Sequence, residues 1–335
     1  MTLVVAVDER FATHDPGSGH PERPARIDAV LDGLITAGVV LDRDRLEGRA
    51  ATRADLARVH SIEYLDALEA LCRSGGGRLD ADTAASSRSW DAAIHAAGAG
   101  LDAIDAIRAG RADTAFLAVR PPGHHAVGDH AMGFCLINNI AVSAAAFVAQ
   151  GERVAIVDWD AHHGNGTQAI FWDEPAVLYV STHQWPLYPG TGRSDETGGA
   201  SAVGTTLNLP LPAGATGDVF ERAFDEVVLP SITRFRPDWV LVSAGFDAHA
   251  ADPLTDLGLG ARDFADLTDL VLDVAPGGRV IAFLEGGYDL TALRDSVAAT
   301  AARLRGDTRP PGTGSPTHGG PGADAVARAR ARFGT

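Results

Sequence analysis

The 335 residues carry 45% hydrophobic and 21% charged side chains, which suits a globule with a sizeable core and excludes disorder as the main state. The 44 acidic residues outnumber the 28 basic ones, and the formal charge of −16 repels phosphate backbones, so direct nucleic-acid binding is not expected. A cationic small molecule or a basic protein tail is attracted instead.

No apolar run reaches the ~20 residues that cross a bilayer, and the start Met1-Thr2-Leu3 lacks the basic, cleavable pattern of a signal peptide. No membrane and a cytoplasmic location are therefore expected. In chain order, segments 3–7, 114–119, 154–157, 176–180, 239–243 and 279–284 read as buried parallel strands, because they are short, β-branched and apolar throughout. Ala-rich stretches with helical spacing lie between them, notably 89–108, 138–150, 216–234 and 262–274. Strand–helix alternation of this kind predicts an α/β protein with a mostly parallel sheet covered on both faces. Residues 1–307 read as one catalytic domain. Residues 308–335 read as a Pro/Gly-rich linker and a short basic C-terminal segment.

The residues that follow the strands are chemically distinctive. Segment 114–119 is followed by Arg120-Pro121-Pro122-Gly123-His124-His125. Segment 154–157 leads into Asp158-Trp159-Asp160-Ala161-His162-His163-Gly164-Asn165. Ser181-Thr182-His183, Ala244-Gly245-Phe246-Asp247 and Glu285-Gly286-Gly287-Tyr288 close three others. In open parallel sheets the ligand site lies beyond the carboxyl ends of the strands, so five strands deliver Asp, His and Tyr to one edge.

Asp158, Asp160 and His162 alternate along an extended segment and share a face. Two of them with one distant carboxylate, best supplied by Asp247, make a three-ligand metal site with open positions, the pattern of catalytic zinc. A hydrogen-bonded turn is the plainer reading of that spacing alone. His124 and His125 suit acid/base work beside such a cluster, with Asp158 and Asn165 available to orient them. Tyr288 can donate to a developing oxyanion, and its flanking glycines permit close approach. Cys72 and Cys135 are too few for a disulfide framework or a four-thiolate zinc site, and Cys135 reads as a packed thiol.

Six motifs in order resemble the histone deacetylase superfamily. They are Arg120-Pro-Pro-Gly-His-His-Ala126, Gly133-Phe-Cys-Leu-Ile-Asn-Asn139, Asp158-Trp-Asp-Ala-His-His-Gly-Asn-Gly-Thr-Gln168, Tyr188-Pro-Gly-Thr-Gly192, Ala244-Gly-Phe-Asp-Ala248 and Glu285-Gly-Gly-Tyr288. The likeness runs from about His14 to Leu290, and His20-Pro-Glu-Arg-Pro-Ala-Arg-Ile27 resembles the class II branch. The superfamily includes acetylpolyamine amidohydrolases and acetoin-utilisation proteins. The resemblance implies an arginase-like open parallel sheet of about eight strands with helices on both faces. It implies zinc bound by Asp160, His162 and Asp247, tandem catalytic histidines at His124 and His125, and their partners at Asp158 and Asn165. Tyr288 matches the tyrosine that stabilises the transition state. Gly133, Phe134, Tyr188 and the rim residue Leu254 match the acyl-lysine channel. A monovalent cation, expected to be potassium, falls by position to Asp158, Asp160, His162, Ser181 and Thr182, largely through main-chain carbonyls. The implied activity is removal of an acyl group, expected to be acetyl, from an acylated lysine side chain or another acylated amine by metal-activated water.

The runner-up is an acetylpolyamine amidohydrolase. Relatives selective for polyamines can carry an acid where Leu254 stands, although Asp80 or Asp82 could supply rim charge. An arginase-type ureohydrolase would need a binuclear manganese site with more carboxylates than can be assembled here. A non-enzymatic acyl-lysine-binding protein would be favoured by loss of Tyr288 or of a metal ligand, and all are present.

Overall fold

The computed structural model describes residues 1–307 and 314–334. Nine strands are found among them: β1 (Leu3–Ala6), β2 (Gly76–Arg78), β3 (Ala84–Ser86), β4 (Thr114–Leu117), β5 (Val154–Asp158), β6 (Val177–Gln184), β7 (Thr206–Leu211), β8 (Trp239–Ala244) and β9 (Val280–Leu284). Seven form one wholly parallel sheet in the order β1-β4-β9-β8-β5-β6-β7.

About eight strands were expected, and the sheet has seven among the described residues. The position outside β1 is taken by a single parallel bridge, Val5 with Arg45, where the Leu46 amide donates 2.8 Å to the Val5 carbonyl. The pair β2–β3 is antiparallel and separate from the main sheet. Its Gly76, Gly77 and Arg78 lack the β-branched apolar side chains that a sheet buried on both faces demands. Strand β7 is an edge that periodicity did not reveal, because Pro210 interrupts it, and proline is tolerated where no neighbour needs its N–H.

Both sheet faces are buried. Side chains alternate along each strand, so Val154 and Ile156 join the core on one face while Ala155 and Val157 join the core on the other. The helices Ile62–Arg73, Ser89–Arg108 and Asn139–Val148 contribute to the first core. The helices Ala25–Thr36, Ala261–Val274 and Leu290–Leu304 contribute to the second. The run expected as one helix over 216–234 comprises Gly217–Ala223, a wider π turn at Phe224–Val228, and Leu229–Phe235. Pro230 supplies no amide hydrogen for the regular ladder at that junction.

Of the stretch expected as a linker, 308–313 lies outside the described residues. Over 314–322 the chain is tied to the domain: Thr317 donates its hydroxyl 2.8 Å to Asp263, and the Gly320 amide donates 2.7 Å to the Thr216 hydroxyl. Helix Ala323–Phe333 follows, and buries Val326 and Ala329 in the core. No helix among the described residues is long and apolar enough to cross a membrane.

Candidate active site

The loops after β4, β5, β6, β8 and β9 meet at one edge because those five strands are neighbours in the sheet. Asp160, His162 and Asp247 converge there, with their ligand atoms within 4.8 Å of one another. His162 Nδ1 lies 3.2 Å from Asp160 Oδ1 and 2.9 Å from Asp247 Oδ2. Tetrahedral bonds of about 2.0–2.2 Å put donor atoms roughly 3.3–3.6 Å apart, so this set fits a single zinc-like cation. Each carboxylate is aimed by a main-chain amide: Gly286 donates 2.8 Å to Asp160, and Ala161 donates 2.9 Å to Asp247. The cradle has no space for added carbon. A Cβ at Gly245 would stand 2.1 Å from Asp160 Oδ2, and one at Gly286 2.2 Å from Asp247 Oδ2.

The two histidines beside the triad are tied to different partners. His124 Nδ1 lies 3.1 Å from Asp158 Oδ2, and His125 Nδ1 lies 2.7 Å from Asn165 Oδ1. The Asn165 amide nitrogen donates to Met132 Sδ at 3.2 Å, which leaves its oxygen to face His125. Burial lowers His124, but the carboxylates of Asp160, Asp158 and Glu285 outweigh it and lift the ring to about 10. Burial, then His124 and His162, hold His125 well below an ordinary imidazole. Similar rings 4.0 Å apart are thus pushed in opposite directions, the arrangement expected of an acid and a base.

A cavity of about 230 Å³ opens above these groups. Gly133 and Phe134 line it, both with positive φ, 57° and 68°. A Cβ at Gly133 would lie 2.4 Å from the His125 ring, so glycine is required there. Phe134 meets Tyr288 edge to face at 5.8 Å, and Tyr188 meets His125 the same way at 5.2 Å. Leu254 lies at the mouth, 37% exposed. Burial pushes the Tyr288 hydroxyl well above its usual value, so it remains a proton donor at neutral pH. Ser181 stands opposite Asp158 in the β5–β6 register, and the Thr182 hydroxyl lies 3.4 Å from the Asp158 carbonyl oxygen. The residues that the resemblance assigns to metal, catalysis and channel therefore lie together at this edge, with Tyr188 and Leu254 at its exposed rim.

Several contributors were not singled out. Buried Glu285 accepts amides from Gly123 and His124 at 2.7 and 3.1 Å, which fixes the histidine loop. Buried Arg26 donates 2.7 Å to the Gly287 carbonyl and 2.5 Å to that of Glu285, and its guanidinium carbon lies 5.0 Å from the centre of the Tyr288 ring. Glu22 holds both Arg26 and Arg120 in a fully buried cluster. Glu22 and Arg26 stand in the His20–Ile27 motif, which signalled likeness without a role. His20 packs edge-on to Phe134 at 4.6 Å. His163 faces away from the triad, bonded to Thr191 and Gln168, as expected of a structural histidine.

Residues 20–304 match the histone deacetylase domain. The chain is 39% identical over 297 residues to the probable deacetylase of Archaeoglobus fulgidus, covering 87% of this chain and 82% of that one. It is 40% identical over 313 residues to the polyamine deacetylase HDAC10 of Homo sapiens, covering 88% of this chain and 46% of the relative. The crystal structure of the HDA15 HD domain superposes with a TM-score of 0.89 at 38% identity, over 98% of this chain and 95% of that one. The chain belongs to the histone deacetylase family. It is a hydrolase of that family with an arginase-like α/β fold.

Proposed function

We propose that this chain hydrolyses the amide of an acylated amine, with an acyl-lysine side chain as the preferred substrate and acetyl as the expected acyl group. One observation carries the reading: His162 of the three-donor set, the paired rings of His124 and His125 and the buried Tyr288 line one mostly apolar slot. Asp160, His162 and Asp247 would hold a zinc ion, which would supply Lewis acidity at this point. Nδ1 of His125 is engaged by Asn165, so Nε2 is free to take the proton from the attacking water. His124, protonated against Asp158, gives its own proton to the leaving amine and is reprotonated when His125 releases the one it took from water, which restores both rings. Tyr288 donates to the amide oxygen as negative charge develops there. Phe134 and Tyr188 hold an aliphatic stem between ring faces and exclude water.

A monovalent cation, potassium by the resemblance, belongs to the same proposal. Asp158, Asp160, His162, Ser181 and Thr182 would hold it, and the convergence of the Thr182 hydroxyl on the Asp158 carbonyl is the supporting observation.

Acetylated polyamine is the second reading, favoured by the acidic chain and by Asp82 on the slot lining. Leu254 offers no charge to a second ammonium, which weighs for acyl-lysine. Parallel kcat/KM measurements on acetyl-lysine peptides, longer acyl-lysines, acetylspermidine and acetylputrescine decide between them. A value for acetylspermidine far above every peptide would reverse the choice.

A further inference from the structure

Resting on the hydrolytic reading, we propose that Asp252 is a positioning residue that couples the rim of the slot to Tyr288. Asp252 is buried, 7% exposed, and among the described residues neither oxygen makes an ion pair. Oδ2 accepts the Tyr288 main-chain amide at 2.7 Å, and Oδ1 accepts the Leu254 amide at 3.0 Å. One planar carboxylate therefore bridges the residue that would donate to the substrate oxygen and the residue at the mouth.

The tether is needed because the segment leading to Tyr288 has little stiffness of its own. Gly286 and Gly287 precede it, and Gly287 has a φ of +121°. Arg26 holds the carbonyl of Gly287, one residue earlier, while Asp252 holds Tyr288 itself from the opposite chain segment. Asp252 is in turn set by its own amide, which donates 2.8 Å to the His249 carbonyl. The Leu254 bond spans two residues and is an ordinary local turn. The Tyr288 bond spans 36 residues and closes no turn, so a local structural role does not account for it.

Asparagine cannot replace this carboxylate. Its single carbonyl oxygen serves one amide, and its NH2 group then faces the other donor. The Tyr288 hydroxyl swings at the end of a long ring, and misplacement of a reacting group by ~1 Å can cost ~10²-fold.

The test is a double-mutant comparison on metal-loaded enzyme. Asp252→Asn should lower kcat about 10- to 100-fold, with KM, hydroxamate affinity and bound zinc within about threefold of the wild type. In a Tyr288→Phe background the same change should cost less than about twofold, because the group it positions no longer donates. Asp252→Glu keeps the charge but shifts the carboxylate by a methylene, and its loss should vanish in that background as well. It serves where the asparagine variant does not fold. Equal losses with and without the Tyr288 hydroxyl, or a loss that tracks zinc content, overturn the proposal while leaving hydrolysis intact. A wild type that hydrolyses no acylated amine at full zinc occupancy overturns the hydrolytic reading itself, and this proposal with it.

Discussion

Asn165→Asp tests which histidine takes the proton. The Asn165 oxygen lies 2.7 Å from His125 Nδ1, so the substitution places a negative charge against that ring with little change of volume. Opposite charges within ~4–6 Å shift a titration by ~1–3 units, equivalent to about 1.4–4 kcal/mol. The sign follows from the role. A base works unprotonated, and a carboxylate partner stabilises the imidazolium, so more alkaline conditions are needed to free Nε2. The acid limb of kcat/KM should move upward by about 1–3 pH units. The assay is a pH profile on a fluorogenic acetyl-lysine peptide, with zinc content measured at each pH to separate proton effects from metal loss. An acid limb that stays in place, on enzyme that keeps its zinc, would refute the assignment of His125 as base.

Chelation should abolish amide hydrolysis, and added zinc should restore it; Asp247→Ala should lower bound zinc as read by elemental analysis. Tyr288→Phe should reduce kcat by ~10²–10³ while hydroxamate affinity changes far less, since the triad and the aromatic walls remain. His60 is buried and uses its neutral form: Nδ1 donates 2.9 Å to the Val127 carbonyl, and Nε2 accepts the Asn138 amide at 3.0 Å. Burial pushes it down to about 4. Its contribution to stability is therefore complete above about pH 6.5 and declines as pH falls towards 4. Urea unfolding should show about 2 kcal/mol of it lost at pH 5, and His60→Gln should remove that part of the pH dependence.

The candidate metal triad and the histidine pair were legible because their chemistry is contiguous with strand ends. The alternation Asp158, Asp160, His162 continues the strand's own period of two, and an apolar run ending in polar residues marks the functional edge of a parallel sheet. Arg26, Glu285 and Asp252 were not legible as participants, because they act on main-chain atoms far away in sequence, and Glu22 was not because it acts through the side chains of Arg26 and Arg120. Arg26 and Gly287 are 261 residues apart, and nothing local to either reveals the bond. Strand β7 was hidden by Pro210. His60 shows no chemical signal in sequence because its two partners are backbone groups.

The glycines join these two kinds of information. Gly-Gly before Tyr288 is a weak signal when read alone, since turns use glycine freely. In the folded chain, Gly286 carries the amide that aims Asp160, and a Cβ there would collide with Asp247. Gly164 is confined in the same way, with an added Cβ 2.3 Å from Asp158 Oδ2 and 2.6 Å from the Tyr179 hydroxyl. Gly133 gives the same result against His125. The side chains around the triad therefore reach their positions because atoms are missing beside them. A motif of acids and histidines on an otherwise similar sheet, without those glycines, could not close to the separations seen here.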